Sequence, residues 1–268
     1  MWKRVLTLGA ALLVLPAVKG AAAAQAPEEP KSAKVWVGRA AEYEDFVRTA
    51  EIVRTEDIPV GITKPLRCYF APGGLVESMA YKGIKTGRST GYWESYKSEM
   101  AAYELDRLLE LQMIPPTVEK RVKGELGAAV MWVAPVQSFK QMGGPPTPPA
   151  AHADSWNRQL SKAKMFDNLI NNRDPNLGNW LVDPAWNLIL IDHTRAFAPG
   201  KDMVHQMNRI ERGLWDRMLK LDLASLKAVL DAHLDGGQIK DILARRDKMK
   251  AEIDKMIAER GEAGVFFP

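Results

Sequence analysis

Cysteine is almost absent from this chain of 268 residues: Cys68 stands alone, so no internal disulfide can form. Stability must then come from packing, even in an oxidising compartment. Histidine is nearly as scarce at four residues, and with one cysteine this argues against a zinc site. Long apolar runs are missing outside the first 26 residues. Charge of one sign is missing too, once that segment is set aside. Residues 1–26 carry Lys3, Arg4 and Lys19 with no acidic residue, so their removal takes the formal charge from +4 to +1. The sequence therefore offers no electrostatic footprint for a nucleic-acid partner.

The first segment has the form of an export signal. A basic start, Met1-Trp2-Lys3-Arg4, precedes the apolar run Val5 to Val18, and Ala21 to Ala26 supplies small residues of the A-x-A type. Pro16, Lys19 and Gly20 interrupt the run, which falls short of the roughly 20 residues of a membrane span. The expectation is an exported protein, periplasmic or secreted, with no stable span after cleavage. The whole chain is 46% apolar and 26% charged, enough to bury a sizeable core.

Residues 27–36 read as a linker, and the rest divides into two parts. Residues 37–142 are β-rich: a short helix at Ala40 to Ala50, a strand at Ile58 to Thr63, and a hairpin from Leu66–Phe70 to Leu75–Lys82. A polar connection, Thr86 to Thr90, leads to a helix over Trp93 to Leu111, whose Met100, Tyr103 or Glu104, Leu108 and Leu111 form one apolar stripe. Pro115-Pro116 stops it, and a second hairpin spans Val118 to Val133. A Gly/Pro-rich bridge occupies 143–155. Residues 156–268 are mainly helical: Trp156 to Asn171, Asn208 to Leu221, Leu223 to Leu234 and Gln238 to Glu259, with an apolar tail Gly264 to Pro268. The fold class is α+β and bilobal, a small β-rich lobe with one helix followed by a mainly helical lobe, with room for a ligand between them.

Chemistry concentrates in Met165 to Phe197. Asp174 and Asn179 lie in a loop rich in Asn, Pro and Gly, and Asp192 ends the apolar run Leu188 to Ile191. An isolated N-N-R-D-P-N is an ordinary turn sequence. A carboxylate at the end of a buried strand is costly unless a partner holds it, and a metal ion is one such partner. The expected strand pair Gly178–Val182 and Asn187–Ile191 returns Asp174 and Asp192 to the same end of a hairpin. Asp, Asn and Asp in this order match the needs of phosphoryl transfer: a hydroxyl-orienting Asp and two oxygen ligands for divalent ions. Such a site also needs a Lys on the phosphates, steered by a helical Glu. Lys82 at a strand end and Glu99 in the following helix fit, with Lys85 as a rival. Arg195 suits either a phosphate or a structural ion pair, and His193 is not read as a ligand.

At these residues the chain resembles the secretory-pathway kinases of the Golgi casein kinase family, and it is similar to bacterial lipid-kinase-like and HipA-like folds. The likeness rests on Ser98-Glu-Met-Ala-Ala-Tyr-Glu-Leu-Asp-Arg-Leu-Leu109 with Ile114-Pro-Pro116, on Tyr81-Lys82, and on Asp192-His-Thr-Arg-Ala-Phe197. It runs from about Ile58 to Phe197. The resemblance implies a protein-kinase-like fold with Lys82 and Glu99 as the nucleotide-positioning pair. It implies Asp174 as the catalytic Asp, Asn179 and Asp192 as ligands of Mg or Mn, and Trp132 and Val133 as the interlobe hinge near the adenine. Departures are the absence of G-x-G-x-x-G, with only Gly61 in the expected first strand, and Pro175 after Asp174. The expected activity is transfer of the ATP γ-phosphoryl group to a hydroxyl of a protein or glycan. The alternatives are a pseudokinase scaffold of the envelope and an exported structural protein whose polar residues cap turns.

Overall fold

The structure, a computed structural model, describes residues 31–59, 65–89, 92–174 and 176–268. The expected export signal lies outside them, as does most of the strand expected at Ile58 to Thr63. The chain begins with α1 (Ala40–Thr49), β1 (Ile52–Asp57), β2 (Leu66–Phe70) and β3 (Ser78–Lys82). The first described strand is therefore β1, earlier than the sequence suggests: Ile52-Val-Arg-Thr alternates only weakly, and its pairing with β2 decides it. Next come β4 (Gly87–Ser89) and β5 (Tyr92–Glu94), a small hairpin where a plain polar connection was expected. They lead to α2 (Tyr96–Leu108), then β6 (Thr117–Val122) and β7 (Glu125–Met131).

Five strands form one antiparallel sheet in the order β1-β2-β3-β7-β6. Its alternation places Cys68, Phe70, Met79, Tyr81, Ala129 and Met131 in one apolar cluster with Tyr43 and Val47 of α1. The exposed end of α1 is capped from the sheet, where Lys120 Nζ donates to the carbonyls of Val47, Arg48 and Ala50 at 2.8–2.9 Å. Gly127 is demanded by close approach. A Cβ there would come within 2.5 Å of the Lys82 carbonyl oxygen and 2.7 Å of the Tyr81 ring.

The α2 helix starts later than expected because Ser95 caps it, its side chain accepting from Lys97 N–H. It ends before the prolines, at a turn in which Glu110 and Gln112 take positive φ. Asp106 holds that turn, accepting the N–H groups of Gln112, Met113 and Ile114 at 2.8–3.1 Å. The helix is not amphipathic with one stripe. Residues 98–103, Leu105 and Asp106 are all buried, since the sheet packs on one side and the helical lobe on the other.

The second lobe contains β8 (Gln137–Ser138), α3 (Ala153–Ile170), β9 (Trp180–Val182), β10 (Leu188–Leu190), α4 (Arg212–Leu219), α5 (Leu223–Leu230) and α6 (Gly236–Val265). α4 begins four residues after the expected start, capped by Glu211 accepting from Leu214 N–H. β8 falls in the stretch assigned to the first lobe, yet it pairs with β9 of the second. The hairpin β9–β10 is two-sided. Val182, Leu188 and Leu190 enter the helical core, while Leu181, Ile189 and Ile191 pack with the sheet's cluster. Period-two alternation thus makes this hairpin the seam between the lobes. A second tie comes from the segment read as a linker. Ala33 and Trp36 are buried, and Ser32 Oγ and Ala33 N–H donate to the buried Asp183 in the β9–β10 turn. Burial there holds the nearby Lys34 ammonium down to about 8, against the pull of Asp106 and Asp183. Among the described residues, no helix is long and apolar enough to cross a membrane.

Candidate active site

Lys82 ends β3 with its side chain almost fully enclosed. Its Nζ donates to Glu99 Oε1 at 2.5 Å and to Asp192 Oδ1 at 2.8 Å. Burial by itself disfavours the ammonium, but Asp192 and Glu99 outweigh it and hold Lys82 above the usual lysine range. Glu99 is 1% exposed. Its burial disfavours the carboxylate, and the Lys82 ammonium overturns that, taking the group to about 2. Glu99 lies in the first turn of α2, where the helix dipole also favours negative charge. His193 Nδ1 lies 3.8 Å from Glu99 Oε2, too far for a hydrogen bond, and has no other partner among the described residues.

The start of α2 is tied to the segment that carries Asp192. Ser95 N–H donates to the Thr194 carbonyl at 2.9 Å and Ser98 Oγ to the Ala196 carbonyl at 3.1 Å. Buried Glu94 accepts from Arg195 Nε at 2.9 Å. Lys82, Glu99 and Asp192, far apart in sequence, are thereby one contiguous charged cluster. Lys85, the rival, takes no part in these bonds.

Asp192 adopts φ +63°, a left-handed conformation that only the surrounding bonds can maintain. Its Oδ1 also accepts from Thr194 Oγ1 at 3.0 Å. Asn179 is brought beside it through the backbone, because Ile191 N–H donates to the Asn179 carbonyl at 3.0 Å. The Asn179 side chain is 7% exposed, and its Nδ2 has no partner among the described residues. An unpaired buried amide N–H costs about 1–3 kcal/mol, so this side chain suits an acceptor such as a phosphate oxygen on its Nδ2 side. One carboxylate and one amide oxygen, supplemented by phosphate oxygens, suit Mg or Mn.

Asp174 sits in a turn of the kind its sequence suggests: Asn176 N–H donates to its Oδ1 at 3.1 Å. Its second oxygen faces Arg195 Nη1 at 3.6 Å, so Arg195 links Asp174 to Glu94. The loop's backbone is clamped from behind. Asn171, at φ +50°, caps α3 and donates to the Ala198 carbonyl, and Phe197 N–H donates to the Ile170 carbonyl at 2.6 Å. Buried Arg245 of α6 donates to the carbonyls of Leu169 at 2.7 Å and Gly200 at 3.0 Å. Trp132 and Val133 follow β7 toward the second lobe; Trp132 N–H donates to the Ser78 carbonyl, and Val133 is buried in the sheet's cluster.

Sequence reasoning passed over Glu94, Ser98, Thr194 and Arg245. Glu94 immediately precedes the cap of α2, a weak signal. Arg245 shows none, because an arginine in a charged helix reads as solvent-exposed.

No protein-family model matches the chain, and no curated protein is similar to it. Solved structures do match. The chain superposes on hydra Fam20, solved with sugar, at a TM-score of 0.65 and 15% identity, covering 85% of this chain and 92% of that one. The Golgi casein kinase with Mn and ADP bound gives 0.63 and 14%, over 85% and 78%. The Helicobacter pylori proinflammatory kinase CtkA gives 0.51 and 11%, over 80% and 96%. At such identities the likeness establishes the fold: an atypical kinase fold of mixed α+β, bilobal construction.

Proposed function

We propose that this chain is an exported atypical kinase that transfers the γ-phosphoryl group of ATP to a hydroxyl of a protein or glycan. The observation that carries the reading is the Lys82 ammonium held between Glu99 and Asp192, with Asn179 beside Asp192. The solved neighbours support it, one being a kinase with Mn and ADP bound and another having been solved with sugar. The first 26 residues support export.

In this reading Lys82 positions the nucleotide phosphates and Glu99 fixes Lys82. Asn179 and Asp192 would hold Mg or Mn, which neutralises charge on the transferring phosphoryl oxygens. Asp174 orients the acceptor hydroxyl and takes its proton as the new oxygen–phosphorus bond forms and the bond to ADP breaks. Arg195, whose Nη1 lies 3.6 Å from Asp174 Oδ2, aims it. The hairpin β9–β10 sets the separation of the groups on the two lobes.

The test is incubation of the purified mature chain with labelled ATP, Mn or Mg, and an envelope extract. Label must appear in an acceptor and disappear with Asp174→Asn. Nucleotide binding with no transfer would instead favour the pseudokinase scaffold. No binding of nucleotide would overturn the kinase reading.

A further inference from the structure

Register decides which residues of the sheet look into the cleft. Lys82 lies opposite Ala128, Ala80 opposite Val130, and Arg67 opposite Ala80. Residues directly opposite share a face, so Arg67, Ala80 and Val130 rise on the side of Lys82. Trp132, two residues beyond Val130, is on that side as well. The other face belongs to the core under α1.

The Arg67 guanidinium is held in place more firmly than a partly exposed arginine needs to be. Its Nε donates to Oγ of the fully buried Ser78 at 3.0 Å. Its carbon lies 4.2 Å from the Trp132 ring centroid and 4.7 Å from that of Tyr69. Arg54 stacks on Tyr69 in turn, at 3.7 Å. The result is an alternating cation–aromatic ladder across β1, β2 and the end of β7. Arg67 Nη2 is 3.8 Å from Glu77, an exposed and weak partner. With rings beside it and Nε engaged, the guanidinium has its outer N–H edge left to offer. Fixing so long a side chain in advance costs rotamer freedom, and a planar ligand gains from that preorganisation.

We infer that Arg67, backed by Trp132, recognises the base of the bound nucleotide. The inference rests on the nucleotide reading of the cleft. Lys82, joined to Asp192, marks the phosphate end. The Arg67 backbone stands opposite Ala80, about 7 Å back along β3 at the rise of a strand, and its Nε reaches Ser78, two residues further from Lys82. Between them the same face carries only small side chains, Ala80, Ala128 and Val130, with no bulky group standing over it from the sheet itself. A donor-only fork there suits the acceptor nitrogens of a purine.

Binding of ATP and of inorganic tripolyphosphate, each with Mn, is measured by calorimetry on the full mature chain and on Arg67→Met. Affinity for ATP should fall about tenfold, the ratio that 1.4 kcal/mol represents, while tripolyphosphate, which has no base, should bind equally to both. Arg67→Lys should not restore ATP binding, since an ammonium lacks the planar fork. Unchanged ATP affinity in Arg67→Met, or equal losses for both ligands, would overturn the assignment. Should Arg67→Met melt early, Arg67→Gln replaces it and is held to the same two outcomes. A chain that binds neither ligand refutes the nucleotide reading itself, and a chain that binds tripolyphosphate but gains nothing from the base refutes only Arg67.

Discussion

Lys82 stands in a regular strand, whereas Asp174, Asn179 and Asp192 stand on backbone that no sheet holds at their own positions. In the first lobe, register alone aims the lysine: Tyr81 turns into the core, Lys82 into the cleft, and Gly127 admits the strand beside them. In the second lobe the three polar groups sit on turns whose carbonyls and N–H groups are caught by side chains from elsewhere. Arg245, Asn171 and Ser98 do this for the stretch from Leu169 to Gly200. Regular pairing fixes a position cheaply but offers few orientations. Irregular backbone offers the odd angles that chemistry needs, such as φ +63° at Asp192, provided that other residues hold it.

The comparison breaks most visibly at Asp174. Asp174→Asn should lower turnover about 10²- to 10⁴-fold while nucleotide affinity stays within a factor of two, as single-turnover and binding measurements would show. A parallel loss of binding would mean that the loop positions the nucleotide as well.

Arg245→Met should come next. It leaves the Leu169 and Gly200 carbonyls unbonded in a buried site, at a cost of about 3 kcal/mol, read from urea denaturation. Turnover should fall further than the affinity for nucleotide, because only the second lobe's loop loses its clamp. The counterpart in the sheet is Gly127→Ala, at about 2 kcal/mol for the forced shift. Here nucleotide affinity should suffer, since the displaced atoms belong to Lys82 and Tyr81. Equal effects of both variants on binding and turnover would erase the distinction between the lobes.

The smallest effect concerns Asp106, which holds the turn after α2. Burial pushes its carboxyl up to about 6, although three backbone N–H groups favour the ion. An unfolded Asp ionises near pH 3.9, so between about pH 4 and 6 the folded chain holds the extra proton. This group's contribution to stability must therefore fall as pH rises through that window. Asp106→Asn should flatten the pH dependence of the denaturation midpoint there. An unaltered slope would show that Asp106 is already ionised in the fold.

Much of this was open to a reading of residues in order. The hairpin β2–β3, the strand ending at Lys82, the helix with Glu99 and the pair β9–β10 carry local patterns of period 2 or 3.6 that burial enforces. β1 escaped because its neighbour β2 supplies the order that its own residues do not. The β4–β5 hairpin escaped because it is short and polar. The single stripe expected on α2 failed for another reason: small residues such as Ala101 and Ala102 let the helix be buried on opposite sides at once. Arg67 and Arg245 escaped because charge reads as exposure until a partner is seen.

By itself, the sequence determined the apolar alternation of the strands and the stops of helices, and it singled out Lys82, Glu99, Asp174, Asn179 and Asp192 as candidates. These follow from local sterics and from the cost of burying polar groups, which act over a few residues. Only the tertiary structure decided that Lys82 bonds Asp192 across 110 positions, that Arg195 joins Asp174 to Glu94, and that Arg67 lies between two rings. Those contacts depend on how two lobes meet along one hairpin, and no short-range rule of chain geometry carries that information.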